Sequence, residues 1–211
     1  MNLVSERLNI DDYEEAVELF YSRGWTDELP VVLPTPRRVE ALIAHVGRDP
    51  QAEPGRGPAQ GGGAATIEKL AINAVMGAAW PEHFPVVLAA LEALLDPEHN
   101  LNGVSQTTHM CVSLVIVNGP SPARSASTRA TACSATAIAP MPRWGAGAAG
   151  PLEPGRRHPV GHRYKATLSH PGEYAFCIAE EEEDNPWTPL RGSRLPAGLG
   201  RGHRLCLRGT A

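Results

Sequence analysis

A histidine at the edge of an apolar run is one residue whose type and position could support chemistry. His109 follows a pair of threonines and precedes the run that begins at Cys111. Such a histidine can act as a general base or as a metal ligand. The alternative is a strand-end histidine bonded to a neighbour, because no second histidine or carboxylate stands at ligand spacing nearby. The sequence therefore predicts no metal site and leaves both other roles of His109 open.

A thiol and two carboxylates form a second cluster near the C-terminal end. Cys177 is followed closely by Glu180 and Glu182. Carboxylates beside a thiol raise its pKa, which makes it a poorer nucleophile. A buried strand cysteine followed by a solvated acidic loop explains the same residues, because free cysteines are among the most buried residue types. Cys177 and Glu180 are therefore candidates for catalysis with a structural alternative beside them.

A third set of candidates lies on one predicted helix. Lys69 and Asn73 are four residues apart and share a face, so they could point together at a ligand. Thr66 precedes them at the predicted helix start, where backbone N–H groups and the glycines 61–63 could receive an anion. The alternative is a solvated helix face behind an ordinary cap, since no complete phosphate-binding motif is present and no strand precedes the loop.

Four helices are predicted in the first half of the chain, the first three from a capping residue, the second also from an apolar stripe, and the fourth after the break at Trp80-Pro81. Val39, Leu42 and Ile43 illustrate the stripe, and Gly47 suits a helix end. The helices are predicted to run from a cap at Asp11 to about Arg23, from a cap at Thr35 to Gly47, from a cap at Thr66 to about Ala79, and from about Glu82 to Leu95.

Strands are predicted after the helices. The apolar run from Cys111 to Val117 ends at Asn118-Gly119-Pro120, and the segment from Tyr174 to Ile178 is also strand-like. We therefore predict a single α/β domain over residues 1–190, with helices in its first half and a mixed sheet built from the middle and C-terminal strands.

Two segments have an unusual composition. Residues 121–163 contain six Arg and one acidic residue, and Ala, Gly and Pro fill 21 of their 43 positions. Residues 191–211 contain five Arg and no acidic residue. Neither segment shows a helical stripe or an alternation, so we expect an aberrant insert at 121–163 and a disordered tail at 191–211. Basic tails can bind nucleic acid, but that function ranks last because the composition has another explanation.

Eight stretches of the chain, within residues 1–120 and 164–190, carry a resemblance to a known family. They are Arg23–Asp27, Leu29–Val32, Thr66–Met76, Phe84–Ala90, Thr107–His109, Val115–Pro120, Phe176–Glu180 and Pro186–Leu190. These stretches resemble an uncharacterised bacterial family associated with UGSC (seleno)proteins, which are named for a motif containing selenocysteine or cysteine. The resemblance implies a subunit of a thiol- or selenol-linked redox or small-molecule-converting enzyme, with a UGSC-type protein as partner and an unknown cofactor. His109, Lys69, Asn73, Cys177 and Glu180 would then line the site, with Thr66 beside them. A non-catalytic structural or binding subunit is the alternative.

A shifted reading frame explains the two unusual segments. Back-translated with GC-rich codons and read from the third base, Ser125–Ala146 allows the peptide GVNAGYGVFGDGDRANATLGRG. Read from the second base, Arg194–Gly209 allows GFPPGSGAVTVSASGA. Both peptides resemble what the family has at these places. We therefore expect this copy to be frameshifted in 121–163 and 191–211, and to be inactive.

The remaining features concern the compartment. The most apolar stretch, Phe84 to Leu95, is interrupted by Glu92 and is too short to cross a bilayer. The N-terminus lacks the basic start and apolar region of a signal peptide. The four cysteines form no CxxC pair and no disulfide framework. These observations predict a cytoplasmic protein with reduced thiols, of which Cys111 and Cys177 should be buried.

Overall fold

The computed structural model describes residues 1–25, 30–54, 65–100, 114–118, 177–179, 184–188 and 204–208. Four α-helices dominate this part of the chain, and two short 3₁₀ turns adjoin the last helix. The helices are α1 (Tyr13–Ser22), α2 (Pro36–Val46), α3 (Ile67–Met76) and α4 (Phe84–Leu94). The 3₁₀ turns are Pro81–His83 and Pro97–His99.

Helix α1 begins one residue later than the sequence predicts. Asp12 is the N-cap, and its side chain accepts from the backbone N–H of Glu15 at 2.8 Å. The predicted cap at Asp11 is therefore wrong. Both aspartates are followed three residues later by a glutamate, so the capping-box pattern cannot choose between them. The helix ends as predicted, because Gly24 has φ +64° and follows the C-cap Arg23.

Helices α2 and α3 begin as their sequences predict. Pro36 occupies the first turn of α2, and Gly47 ends that helix in the left-handed conformation. Thr66 caps α3, and its side chain accepts from the N–H of Lys69. Helix α3 ends at Met76, three residues before the predicted Ala79, because the chain turns through Gly77 and Ala78, and Ala78 has φ +61°.

The core lies where α2, α3 and α4 meet β1 (Leu114–Asn118). Phe84 and Ile67 are fully buried, and Val115 is 1% exposed. The predicted stripe of α2 is confirmed, because Val39, Leu42 and Ile43 are all buried. Removing this apolar surface from water is the main term that holds the helices together.

The predicted α/β fold with a mixed sheet is wrong. The described part of the chain is predominantly helical. Among its strands, side-chain burial is described for β1 alone. The backbones of β2 (Cys177–Ala179) and β3 (Arg204–Arg208) run beside β1, and both pairings are parallel. A short apolar run does not encode the direction of its partner strand, and strands of three and five residues add little extended structure. No mixed sheet is therefore present among the described residues.

The domain prediction falls mostly outside the described residues. The aberrant insert at 121–163 lies wholly outside them. Of the predicted tail at 191–211, the structure describes Arg204–Arg208 alone, as β3. The expectations for these two segments therefore stay predictions.

Candidate functional site

Helix α3 and its N-cap carry three of the residues singled out as candidates, and the backbone donors of the first turn are already bonded. The N–H groups of Ile67 and Glu68 donate to the carbonyls of Ala52 and Pro50, at 3.0 and 2.9 Å. The N–H of Lys69 donates to the Thr66 hydroxyl at 3.3 Å. An anion at this helix start would have to displace these acceptors. Thr66 therefore serves as a cap, and the glycines 61–63 lie outside the described residues.

Lys69 and Asn73 lie on one face of α3, as their spacing predicts. Both are half-buried. The Asn73 side-chain amide donates to the Lys69 carbonyl at 2.8 Å, so that donor bonds the helix backbone. Side chains that bond the carbonyl four residues back compete with the helix ladder and fix their own rotamer. The arrangement holds α3 locally.

Glu68, between Thr66 and Lys69, is the most deeply buried charged residue among the described ones, with 1% exposure. Its carboxylate accepts from the backbone N–H groups of Val4 at 3.0 Å and Ser5 at 2.9 Å. The Gln51 side-chain amide donates to it at 2.7 Å. One carboxylate therefore joins the N-terminal segment and the loop after α2 to the start of α3, where a negative charge also suits the helix dipole.

The pKa of Glu68 reflects two opposing effects. Burial raises the pKa of this carboxyl, because the charged form loses water. Hydrogen bonds from the Ser5 side chain, from the N–H groups of Val4 and Ser5, and from Gln51 outweigh that effect, and the pKa is lowered from 4.5. Glu68 is therefore a carboxylate at neutral pH and a poor candidate for a general acid.

The other candidates are distributed between described and undescribed parts of the chain. Cys177 is the first residue of β2, and its backbone stands opposite Val115 of β1. His109 and Glu180 lie outside the described residues, as does Cys111. The structure thus brings together Thr66, Lys69 and Asn73. The meeting of His109 with Lys69, Asn73 or Cys177 within about 8 Å, as expected for residues that share a small ligand, stays a prediction.

A buried histidine between α3 and α4 was missed in the sequence. His83 is 8% exposed, and its Nδ1 accepts from the N–H of Trp80 at 3.3 Å. Burial lowers the pKa of His83 from 6.5, and nearby Glu82 opposes that effect. The signal was the Trp80-Pro81 break, where a 3₁₀ turn needs a partner for a backbone N–H. His83 closes this turn and is a structural residue.

A second missed feature is the indole of Trp25. Its ring meets Phe20 edge to face at 5.2 Å between centroids, and the Arg23 guanidinium lies 5.1 Å from the Trp25 ring centre. Among the described residues, the buried Nε1 of Trp25 has no hydrogen-bond partner. Edge-to-face packing and a cation over the ring each stabilise such a cluster by roughly 0.5–1.5 kcal/mol. The cluster fixes the chain where it leaves α1.

Two kinds of feature are absent from the described residues, a metal-binding group and a membrane-spanning helix. Within them, no group of three or more His, Cys, Asp or Glu side chains is placed to bind a metal ion. None of the helices described is both long enough and apolar enough to cross a membrane.

Comparison with known proteins adds no family. No protein-family model matches the chain, and comparisons with curated proteins and with solved structures also find no match.

Proposed function

We propose that this chain is a cytoplasmic, non-catalytic subunit of a thiol- or selenol-linked enzyme that acts in redox or small-molecule conversion. In this proposal the helical region is a scaffold and the copy with this sequence is inactive. The partner is a UGSC-type thiol or selenol protein, as the resemblance of residues 1–120 and 164–190 implies.

The scaffold role is supported by the hydrogen bonds that the candidate side chains on α3 form with the protein itself. The Thr66 hydroxyl and the Asn73 amide both bond the backbone of that helix. Glu68 beside them is occupied by Val4, Ser5 and Gln51. Catalytic groups need a polar atom directed at a substrate, whereas these atoms are directed at the protein's own backbone and loops. This use of the side chains supports the non-catalytic alternative over an active site on α3.

The reading frame supports the inactivity of this copy. In the shifted frames, Ser125–Ala146 allows a glycine- and asparagine-containing peptide, and Arg194–Gly209 allows a glycine- and serine-containing one. A gene in which both frames are restored should therefore encode the working form.

The test compares the chain as it stands with the frame-restored chain. Each is mixed with a recombinant UGSC-type protein that carries cysteine in place of selenocysteine, and the complex is measured by size-exclusion chromatography with light scattering. We expect a complex with the restored chain and none with the present one. If the restored chain folds but forms no complex, the proposed UGSC-type partner is wrong. If the gene sequence does not encode the alternative peptides in the shifted frames, the proposed frameshift is wrong.

Variants of the restored chain test the scaffold role. Asn73→Ala should change the melting temperature by no more than a few degrees, because the lost bond competes with the helix ladder and alanine is the better helix former. Lys69→Ala should leave complex formation and the consumption of thiols detected by Ellman's reagent within twofold. Glu82→Ala, an exposed carboxylate before α4, is the matched control. Loss of thiol consumption in Lys69→Ala at an unchanged melting temperature would place catalysis on α3 and overturn the proposal.

A further inference from the structure

The N-terminal segment, residues 1–11, is attached to the rest of the molecule in an unusual way. It forms no helix or strand before α1 begins. Val4 is 65% exposed and Leu8 is 37% exposed, whereas Leu3 packs against the core. The segment therefore lies on the surface of the helices with one apolar contact to the core.

The hydrogen bonds described for this segment all end on a single side chain. The N–H groups of Val4 and Ser5 donate to the two different oxygens of the Glu68 carboxylate, at 3.0 and 2.9 Å. The two donors are consecutive backbone groups, and the acceptor is 63 or 64 residues away in the sequence. One carboxylate thus fastens the segment, and hydrogen bonds to a charged acceptor are the stronger kind.

We infer that residues 1–11 form a strap that is latched to α3 by Glu68 and opens as a unit while the helices stay folded. The first turn of α3 keeps its own partners when the strap leaves, because Ile67 and Glu68 donate to Ala52 and Pro50 independently of it. Gln51 continues to bond the Glu68 carboxylate, and water replaces the donors lost with Val4 and Ser5. Opening therefore exposes the start of α3 without orphaning its backbone.

Native-state hydrogen exchange on the full chain tests the opening directly. With low concentrations of guanidinium, the amides of Val4 and Ser5 should exchange at a rate that hardly depends on denaturant, because little surface is exposed by a local opening. The amides of Val87 and Leu88 in α4 should exchange far more slowly. Their exchange rate should rise steeply with the denaturant concentration, as expected for amides that exchange only by global unfolding. The same denaturant dependence in both places would overturn the strap, because it would then open only when the whole region unfolds.

A proline pair provides the matched variants. Ser5→Pro removes two latch donors, the N–H and the hydroxyl of Ser5, and leaves the core untouched, whereas Arg7→Pro places the same restriction two residues further on, at a residue with no described bond to Glu68. In Ser5→Pro, the peptide covering residues 1–8 should lose at least about tenfold of its protection while α4 stays protected. In Arg7→Pro the protection should remain within about threefold. Equal loss in both variants, or full protection in Ser5→Pro, would overturn the latch.

Discussion

Two glutamates in the helical region, Glu68 on α3 and Glu92 on α4, illustrate opposite uses of the same side chain. Glu68 is 1% exposed and accepts hydrogen bonds from residues of two other segments. Glu92 bonds Arg48 at 2.6 Å, and the two side chains are 45% and 37% exposed. The shorter distance belongs to the more exposed pair, so distance alone does not rank the two contacts.

Solvent decides the difference between these two carboxylates. Water screens the Arg48–Glu92 pair and replaces either partner readily, so such surface pairs contribute little to stability. Around Glu68, water is excluded and the donors would lose their partner if the carboxylate were removed. We therefore expect the buried site to dominate the response of the protein to mutation and to pH, whereas the ion pair should be nearly silent.

The largest expected effect is that of removing the Glu68 carboxylate. Glu68→Ala leaves the N–H groups of Val4 and Ser5 and the Gln51 amide without their acceptor, and we expect the free energy of unfolding to fall by about 2 kcal/mol. Denaturant unfolding followed by circular dichroism measures this value. Glu92→Ala is the control. A loss below about 0.5 kcal/mol in Glu68→Ala would show that the buried and exposed carboxylates are equivalent.

Acid should remove the contribution of Glu68 without a mutation. Its pKa in the folded protein is lowered from 4.5, so the unfolded chain binds the proton more readily. The stabilisation is therefore present above that ordinary pKa, and it is lost as the pH falls through the lowered folded pKa. Unfolding free energies measured from pH 6 downwards, for the wild type and for Glu68→Gln, should differ in slope below about pH 4.5. Parallel curves would contradict the assigned pKa direction.

The helices were predictable from the sequence because their signals are local. The stripe of Val39, Leu42 and Ile43 and the left-handed Gly47 lie within one turn or two of each other. The role of Glu68 was not predictable, because its donors Val4 and Ser5 are more than sixty residues away. No spacing rule connects them. On the helix alone, Glu68 reads as an ordinary acidic residue of a first turn.

The sheet was predicted wrongly for a related reason. The apolar run from Cys111 to Val117 indicates an extended segment, and Leu114–Asn118 is indeed a strand. How such a segment pairs depends on residues far along the chain. The site prediction divides in the same way. Thr66 and Asn73 were recognised as polar residues at a helix start, but whether their atoms face a ligand or the backbone depends on three-dimensional contacts.

An intermediate effect is expected when one donor to Glu68 is removed and the carboxylate stays. Gln51→Ala deletes the amide that bonds Oε2 at 2.7 Å, while the N–H groups of Val4 and Ser5 remain. We expect a loss of about 1 kcal/mol in the free energy of unfolding. The pKa of Glu68, measured by NMR titration, should also rise towards its ordinary value, since one stabilising bond is lost. Glu53→Ala, an exposed residue of the same loop, is the control. An unchanged pKa in Gln51→Ala would remove this amide from the latch.

The smallest effect is expected at the exposed pair. Glu92→Gln removes the negative charge and keeps the shape of the side chain, so the ion pair is reduced to a hydrogen bond from the charged Arg48 guanidinium to a neutral amide oxygen. We expect a change below about 0.5 kcal/mol in the free energy of unfolding, because both side chains are more than one-third exposed. The difference from the wild type should shrink further between 0.05 and 1 M salt, because the screening length falls from more than 10 Å to about 3 Å.

Glu68→Gln measured in the same salt series should keep its full effect, since the buried carboxylate acts through hydrogen bonds from which ions are excluded. An effect of Glu92→Gln above 1 kcal/mol that persists at high salt would mean that Arg48 and Glu92 fix the loop after α2 against α4. The contrast between the two carboxylates would then lie in their partners rather than in their burial.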